Sequence, residues 1–243
     1  MSARTARPGG VLLDLVDLVM PSVCAGCATA GAGQACPACR AGLAALRPRV
    51  TVPTPAPPGL PRCVALGEYG GQMRGLILSY KERGAHRLAG PLGAALARVV
   101  AVAGGPGPLL LVPVPGTAAA NRARHGDHVL RLARHAAGAL RRTGHPALVA
   151  ECLAARPKAD SSHLAAVDRL ALAGDAFRVR PARLGRVRDA AAAGASVVIV
   201  DDIITTGATL AAVTALLARS GVPIGGAATL AATRRRDPRH HAA

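Results

Sequence analysis

The chain has 243 residues, 51% of them hydrophobic, which suits one domain of ordinary size plus a small appendage around a sizeable core. With one Phe, two Tyr and no Trp, that core must be built from Ala, Val, Leu and Ile, and base stacking is a poor candidate for the main source of any nucleic-acid affinity. The formal net charge is +17 and all but two of the 30 basic residues are arginine, a balance that attracts polyanions; an Ala-, Gly- and Arg-rich composition is equally what a high-GC genome imposes.

Arg4 and Arg7 open the chain, but the apolar stretch behind them is broken by Asp14 and Asp17 and ends without a small-residue cleavage site, so no secretory signal is expected. Val11 to Met20 reads as a short amphipathic segment. Val99 to Ala120 is uncharged, yet Pro106, Pro108, Pro113 and Pro115 argue against a membrane span. The chain reads as cytoplasmic.

Cys24-Ala-Gly-Cys27 and Cys36-Pro-Ala-Cys39 follow, two C-x2-C pairs with eight residues between them. Two-residue spacing lets both sulfurs of a pair reach one tetrahedral ion, and four thiolates make a closed structural Zn2+ site. The gap is shorter than in common zinc ribbons, which suggests a compact knuckle. Disulfides are the alternative, and a cytoplasmic setting disfavours them. Cys63 and Cys152 are isolated and read as core residues.

Residues 48–61 are too proline-rich for a helix or a central strand and read as a stiff linker. Three parts result: a zinc-knuckle segment at 1–47, the linker at 48–61, and a larger domain at 62–243. A stiff linker predicts that loss of metal loosens the first part and spares the third.

From Arg62 onward strand and helix patterns alternate. Leu109 to Val114 and Ser196 to Val200 are short apolar runs bounded by Pro, Gly or Asp, as buried parallel strands should be. Leu148 to Leu153 and Ala227 to Ala231 are weaker strand candidates. Helices are predicted over Arg87 to Ala103, Ala123 to Arg142 and Thr209 to Ser220. In the second, Val129, Leu132, Ala136 and Leu140 share one face; Arg124, Arg131, Arg134, Arg141 and Arg142 lie opposite, and His125, His128 and His135 are assigned to the polar side. The alternation implies an α/β fold with a parallel sheet covered on both faces, and a ligand at the carboxyl ends of its strands.

Val197-Val-Ile-Val-Asp-Asp-Ile-Ile-Thr-Thr-Gly-Ala-Thr209 is the most informative stretch. An apolar strand ends in Asp201 and Asp202, and a small hydroxyl-rich loop leads into a helix. Thr205, Thr206, Gly207, Ala208 and Thr209 offer successive amides and three hydroxyls at a helix N-terminus, where the dipole favours an anion. Gly207 lets the backbone close on a phosphate without a Cβ in the way. Asp201 and Asp202 are placed to accept from vicinal sugar hydroxyls, at roughly 1.5–3 kcal/mol per charged hydrogen bond. A capped helix with surface aspartates would account for Thr209 alone, not for two acids leading into Thr-Thr-Gly-Ala-Thr.

This stretch resembles the phosphoribosyl pyrophosphate (PRPP) motif of the type I phosphoribosyltransferases. The resemblance implies that Asp201 and Asp202 hold the ribose hydroxyls and that Thr205 to Thr209 hold the 5-phosphate. It narrows with the order of further motifs: four N-terminal cysteines, Tyr69-Gly-Gly-Gln-Met-Arg-Gly-Leu-Ile-Leu-Ser-Tyr-Lys81, Val112-Pro-Val-Pro115, Arg122-Ala-Arg124, then the acids and their loop. From about Leu12 to Thr233 the chain is similar to the ComF/GntX-like family, whose members resemble phosphoribosyltransferases and are associated with DNA uptake in competent bacteria. Where that family usually continues Gly, aromatic, Asn after Arg124, this chain has His125-Gly126-Asp127. At Thr205 purine phosphoribosyltransferases commonly carry an aspartate base, and threonine is a poor one.

The resemblance also implies that the loop after Leu109 to Val114 receives the pyrophosphate. Its prolines leave Val114, Gly116 and Thr117 as amide donors, with Arg122 and Arg124 as charge partners, although a proline-bounded strand end is unremarkable in itself. Arg156 to His163 reads either as a lid or as a solvated loop. Mg2+ is expected with PRPP, because it bridges diphosphate oxygens. Two functions follow: a phosphoribosyltransferase acting on an unidentified acceptor, or a nucleic-acid-associated uptake factor that keeps the fold as scaffold or sensor, with single-stranded DNA as partner through the helical arginines and Arg234 to Arg236.

Overall fold

In the computed structural model residues 23–156 and 176–233 are described. The Val11 to Met20 segment, most of Arg156 to His163 and the Arg234 to Arg236 tail lie outside them.

A six-stranded sheet organises the described residues: β1 (Arg49–Thr51), β2 (Cys63–Glu68), β3 (Leu109–Pro113), β4 (Ala147–Val149), β7 (Ser196–Ile204) and β8 (Gly226–Ala232), in the order β1-β2-β8-β7-β3-β4. All pairings are parallel except that of β1, an antiparallel edge on β2. β5 (Leu153–Ala155) and β6 (Phe177–Val179) form a separate antiparallel pair.

Strand alternation divides the core in two. Leu109, Leu111, Val198 and Val200 face α2 (Gly71–Glu82), α3 (Ala89–Gly104) and α5 (His128–Arg142), whereas Leu110, Val112, Val197 and Ile199 face α6 (Pro181–Ala192) and α7 (Ala208–Arg219). This is the parallel sheet with two covered faces that the sequence predicts. Val129, Leu132, Ala136 and Leu140 are buried as expected, and so are Cys63 and Cys152.

Two elements differ from expectation. The predicted helix over Ala123 to Arg142 is two helices, α4 (Ala118–Ala123) and α5, because His125 (φ 53°) and Gly126 (φ 126°) turn the chain through left-handed backbone and Asp127 then caps α5. The strand expected over Leu148 to Leu153 splits between the two sheets; Ala150 still bonds Leu111, while the Cys152 carbonyl accepts from Arg180. The run His86–Gly104 is long and apolar enough to cross a membrane by length and composition, but 56% of it is buried within the protein as a core helix.

The four-cysteine segment is joined to the large core. α1 (Pro37–Ala45) starts on Cys36, whose Sγ accepts from the Cys39 amide at 3.4 Å. Ala35 and Leu43 are buried in the same cluster as α2 and α3. Arg98 of α3 donates to the carbonyls of Leu43, Ala44 and Leu46 at 2.7–2.8 Å, satisfying the orphan end of α1. Gly75 of α2 meets the Ala25 carbonyl so closely that a Cβ would collide with it. Residues expected to act as a spacer also pack: β1 lies in that stretch, and Leu60 joins the second core cluster. Helix α1 and the main core therefore share side chains.

Candidate functional site

β7 runs beyond the predicted Val200, through both aspartates to Ile204, and α7 begins at Ala208. Thr205 to Gly207 make the turn between them. Gly207 is the N-cap of α7 with φ 76°, in left-handed backbone where a side chain is strained. A Cβ there would lie 2.8 Å from Leu60 Cδ1 and 3.1 Å from Pro53 Cγ, so the position is closed to larger residues. Thr205 and Thr206 are exposed, and Thr206 Oγ1 accepts from Ala208 N–H at 3.4 Å. The amides of Thr206, Gly207 and Thr209 have no acceptor among the described residues, as the first turn of a helix leaves them. Such free amides at a helix N-terminus are able to receive an anion, as a cradle would.

The two acids sit in different surroundings. Asp201 is half-buried and its Oδ1 accepts the Asp202 amide at 2.8 Å. Burial, and then the neighbouring Asp202 charge, push its carboxyl well above the usual carboxylate range. Asp202 is buried, and its Oδ2 accepts from Lys81 Nζ at 2.8 Å and His128 Nε2 at 2.9 Å. Burial alone would raise its pKa, but the His128 hydrogen bond and the Lys81 charge outweigh it and hold the group below the usual range.

His128 therefore does not lie on the polar side of its helix. It is buried, and Tyr80 Oη donates to its carbonyl at 2.8 Å. His128, Leu132, Ala136 and Leu140 follow at four-residue steps, so the buried face could have been extended one step back to include it. Lys81 was missed as a partner of Asp202, although it ends the Tyr69 to Lys81 motif and is one of only two lysines in the chain.

The loop after β3 lies beside β7, with Pro113 opposite Val200. Two of its three expected donors are already committed. The Val114 amide donates to Val200 O at 2.9 Å, and the Gly116 amide to Asp127 Oδ2 at 3.1 Å. The reason is local: Val114 continues the β3–β7 ladder, and Asp127, capping α5 through Oδ1, has a second oxygen directed at the loop. Thr117 caps α4 through its hydroxyl, and its amide alone of the three has no acceptor among the described residues. Arg124 pairs with Glu82 at 2.8 Å, while Arg122 is exposed.

The arginines opposite the apolar face of α5 are largely engaged within the molecule. Arg131 contacts His86 and the His125 carbonyl, Arg134 pairs with Glu151, and Arg141 donates to Ala147 O.

All six cysteines are free, and the sulfurs of Cys24, Cys27, Cys36 and Cys39 lie within 4.8 Å of one another. A tetrahedral zinc–thiolate site, with bonds of about 2.3 Å, needs sulfurs about 3.8 Å apart. The set fits: Cys27 and Cys36 are already 3.6 Å apart, and Cys24 Sγ accepts the Cys36 amide at 3.3 Å, as a thiolate would. The cluster could hold zinc, with three of the four ligands buried as in a structural site.

No curated protein matches the chain. The family model described as "Phosphoribosyl transferase domain" matches residues 188–242, the stretch that contains β7, both aspartates, the cradle and α7. Over that stretch the chain is similar to phosphoribosyltransferases.

Proposed function

We propose that the chain binds Mg-PRPP and transfers its phosphoribosyl group to a nucleophilic acceptor, releasing pyrophosphate. Asp201 and Asp202 would receive the ribose hydroxyls, and Thr205, Thr206, Gly207, Ala208 and Thr209 the 5-phosphate. The carrying observation is the left-handed Gly207 beside the Thr206 and Thr209 amides, which like its own have no acceptor among the described residues, just past two acids at the carboxyl end of a parallel strand.

In this reading the bond from the anomeric carbon to the pyrophosphate oxygen breaks as the acceptor's bond to that carbon forms, and the acceptor gives up its proton. Thr205 is a poor base, so the acceptor arrives deprotonated or loses its proton to solvent. The chain contributes placement and charge stabilisation. Thr117, Arg122 and Arg124 border the side where pyrophosphate would leave; the Val114 and Gly116 amides shape that loop. Mg2+ arriving with PRPP would supply charge neutralisation for the leaving pyrophosphate.

Residues 62–243 would be the transferase part, 48–61 the connection, and 1–47 a zinc-held buttress. The motif order shared with the ComF/GntX-like family extends the reading to a cytoplasmic protein serving DNA uptake. Pyrophosphate release from PRPP, screened over nucleobase, amine and nucleic-acid acceptors, tests the transferase step. Acceptor-dependent release that disappears with Asp201→Asn/Asp202→Asn is expected; no release with any acceptor would leave a binding protein only.

A further inference from the structure

Adjacent carboxylates resist double ionisation, so something must decide which of the pair carries the charge. Among the described residues Asp201 Oδ1 receives a backbone amide, whereas Asp202 Oδ2 receives an ammonium at 2.8 Å and an imidazole nitrogen at 2.9 Å. Both of the latter contacts fall on Oδ2, and neither uses Oδ1.

The partners of Asp202 differ in what they bring. His128 Nδ1 is buried with no partner among the described residues, so a doubly protonated ring would strand an N–H in the interior. A neutral ring with the proton on Nε2 donates to Asp202 and leaves only a lone pair unsatisfied. The positive charge facing Asp202 then comes from Lys81, whose side chain is 27% exposed and so borders the open side of the site. Every other basic side chain but one is an arginine. A compact ammonium can donate to one oxygen from an enclosed position, where a planar guanidinium would take both. Lys81 lies in the last turn of α2, and the next residue, Glu82, is fastened to Arg124 beyond the loop after β3. Tyr80, one residue earlier, holds the His128 carbonyl, so α2 sets both partners at once.

We propose that Lys81 and His128 are positioning residues of the ribose site: they place the negative charge on Asp202, fix Oδ2, and present Oδ1 to a ribose hydroxyl. This rests on Asp202 being a ribose contact. The shifts of the two acids in opposite directions agree with it. The titratable groups facing Asp202 are Asp201 on its own strand, Lys81 and Tyr80 from α2, and His128 from α5.

Two measurements on the full chain test it. In a carbon-13 carboxyl titration, wild-type Asp202 should remain ionised below the ordinary carboxylate range; in Lys81→Met it should protonate at clearly higher pH, and Lys81→Arg should restore part of the difference. In calorimetry at neutral pH, Lys81→Met should bind ribose 5-phosphate at least about tenfold more weakly while binding inorganic phosphate unchanged, and the deficit should widen as pH falls. Should Lys81→Met misfold, Lys81→Gln serves in its place. An Asp202 titration indifferent to Lys81, or equal weakening toward both probes, would overturn the proposal. A wild type that binds neither probe overturns the ribose-site reading instead, and the titration still judges the charge placement.

Discussion

Arg98 on α3 donates to the Leu43 carbonyl at 2.8 Å, and the same guanidinium reaches Ala44 and Leu46, so one side chain closes the end of α1 and ties the cysteine segment to the core. Arg98→Ala leaves three carbonyls to water or to nothing, with a cost of about 2 kcal/mol, the scale of a charged hydrogen bond. For a chain this long that lowers Tm by about 4–8 °C. Arg98→Lys should recover only part, because an ammonium cannot span three acceptors in a fork. A scan showing no change would mean the clamp contributes nothing in solution.

The same contact governs what metal loss does. One zinc per chain should copurify, and Cys39→Ser should lower that content. Because Ala35 and Leu43 sit in the main cluster, the variant should also lower the unfolding temperature of the whole chain. Elemental analysis finding no zinc in reduced protein contradicts the first part; an unfolding transition unaltered by Cys39→Ser contradicts the second.

Gly207→Val places a Cβ in left-handed backbone and against Leu60 and Pro53. Backbone strain alone costs roughly 1–3 kcal/mol. The variant should bind inorganic phosphate at least about tenfold more weakly than wild type, by calorimetry. Unchanged phosphate affinity in a folded Gly207→Val protein would remove the cradle from the account.

Much of this site is legible in the chain because it is local. Most of the strand, the two acids, the turn and the start of the helix fall within Val197 to Thr209, and each has a preference that sequence expresses. What was not legible is non-local. His128 meets Asp202 across 74 positions, and Lys81 reaches it from another helix. Nor does the proline pattern of Val112 to Pro115 reveal that the Val114 and Gly116 amides are used, since Val114 bonds through sheet pairing with β7 and Gly116 through a cap eleven residues on. The break after Arg124 was half visible: Gly126 and Asp127 are a turn residue and a capping residue in sequence, but the arginines around them continue the helical pattern.

The depressed Asp202 makes stability depend on pH in a definite direction. An acid whose folded pKa lies below its unfolded value, about 3.9, contributes stability above that value and loses it as pH falls toward the folded one. Asp201, raised, acts with the opposite sign: the unfolded chain ionises first, so stability falls as pH rises from the unfolded value toward the folded one. Because Lys81 acts mainly on Asp202, the stability gap between wild type and Lys81→Met should be largest near neutral pH and shrink below about pH 4. Urea titrations at neutral and acid pH check this, and a gap constant across the range would contradict it.

The central claim is that Asp201, Asp202 and the Gly207 cradle together hold PRPP, and calorimetry with Mg-PRPP tests it most directly. Wild-type protein should bind, and Asp201→Asn/Asp202→Asn should bind at least about a hundredfold more weakly, a loss of about 2.8 kcal/mol at 1.4 kcal/mol per tenfold. Absence of binding by the folded wild type, or an affinity the double substitution leaves unchanged, would contradict the account.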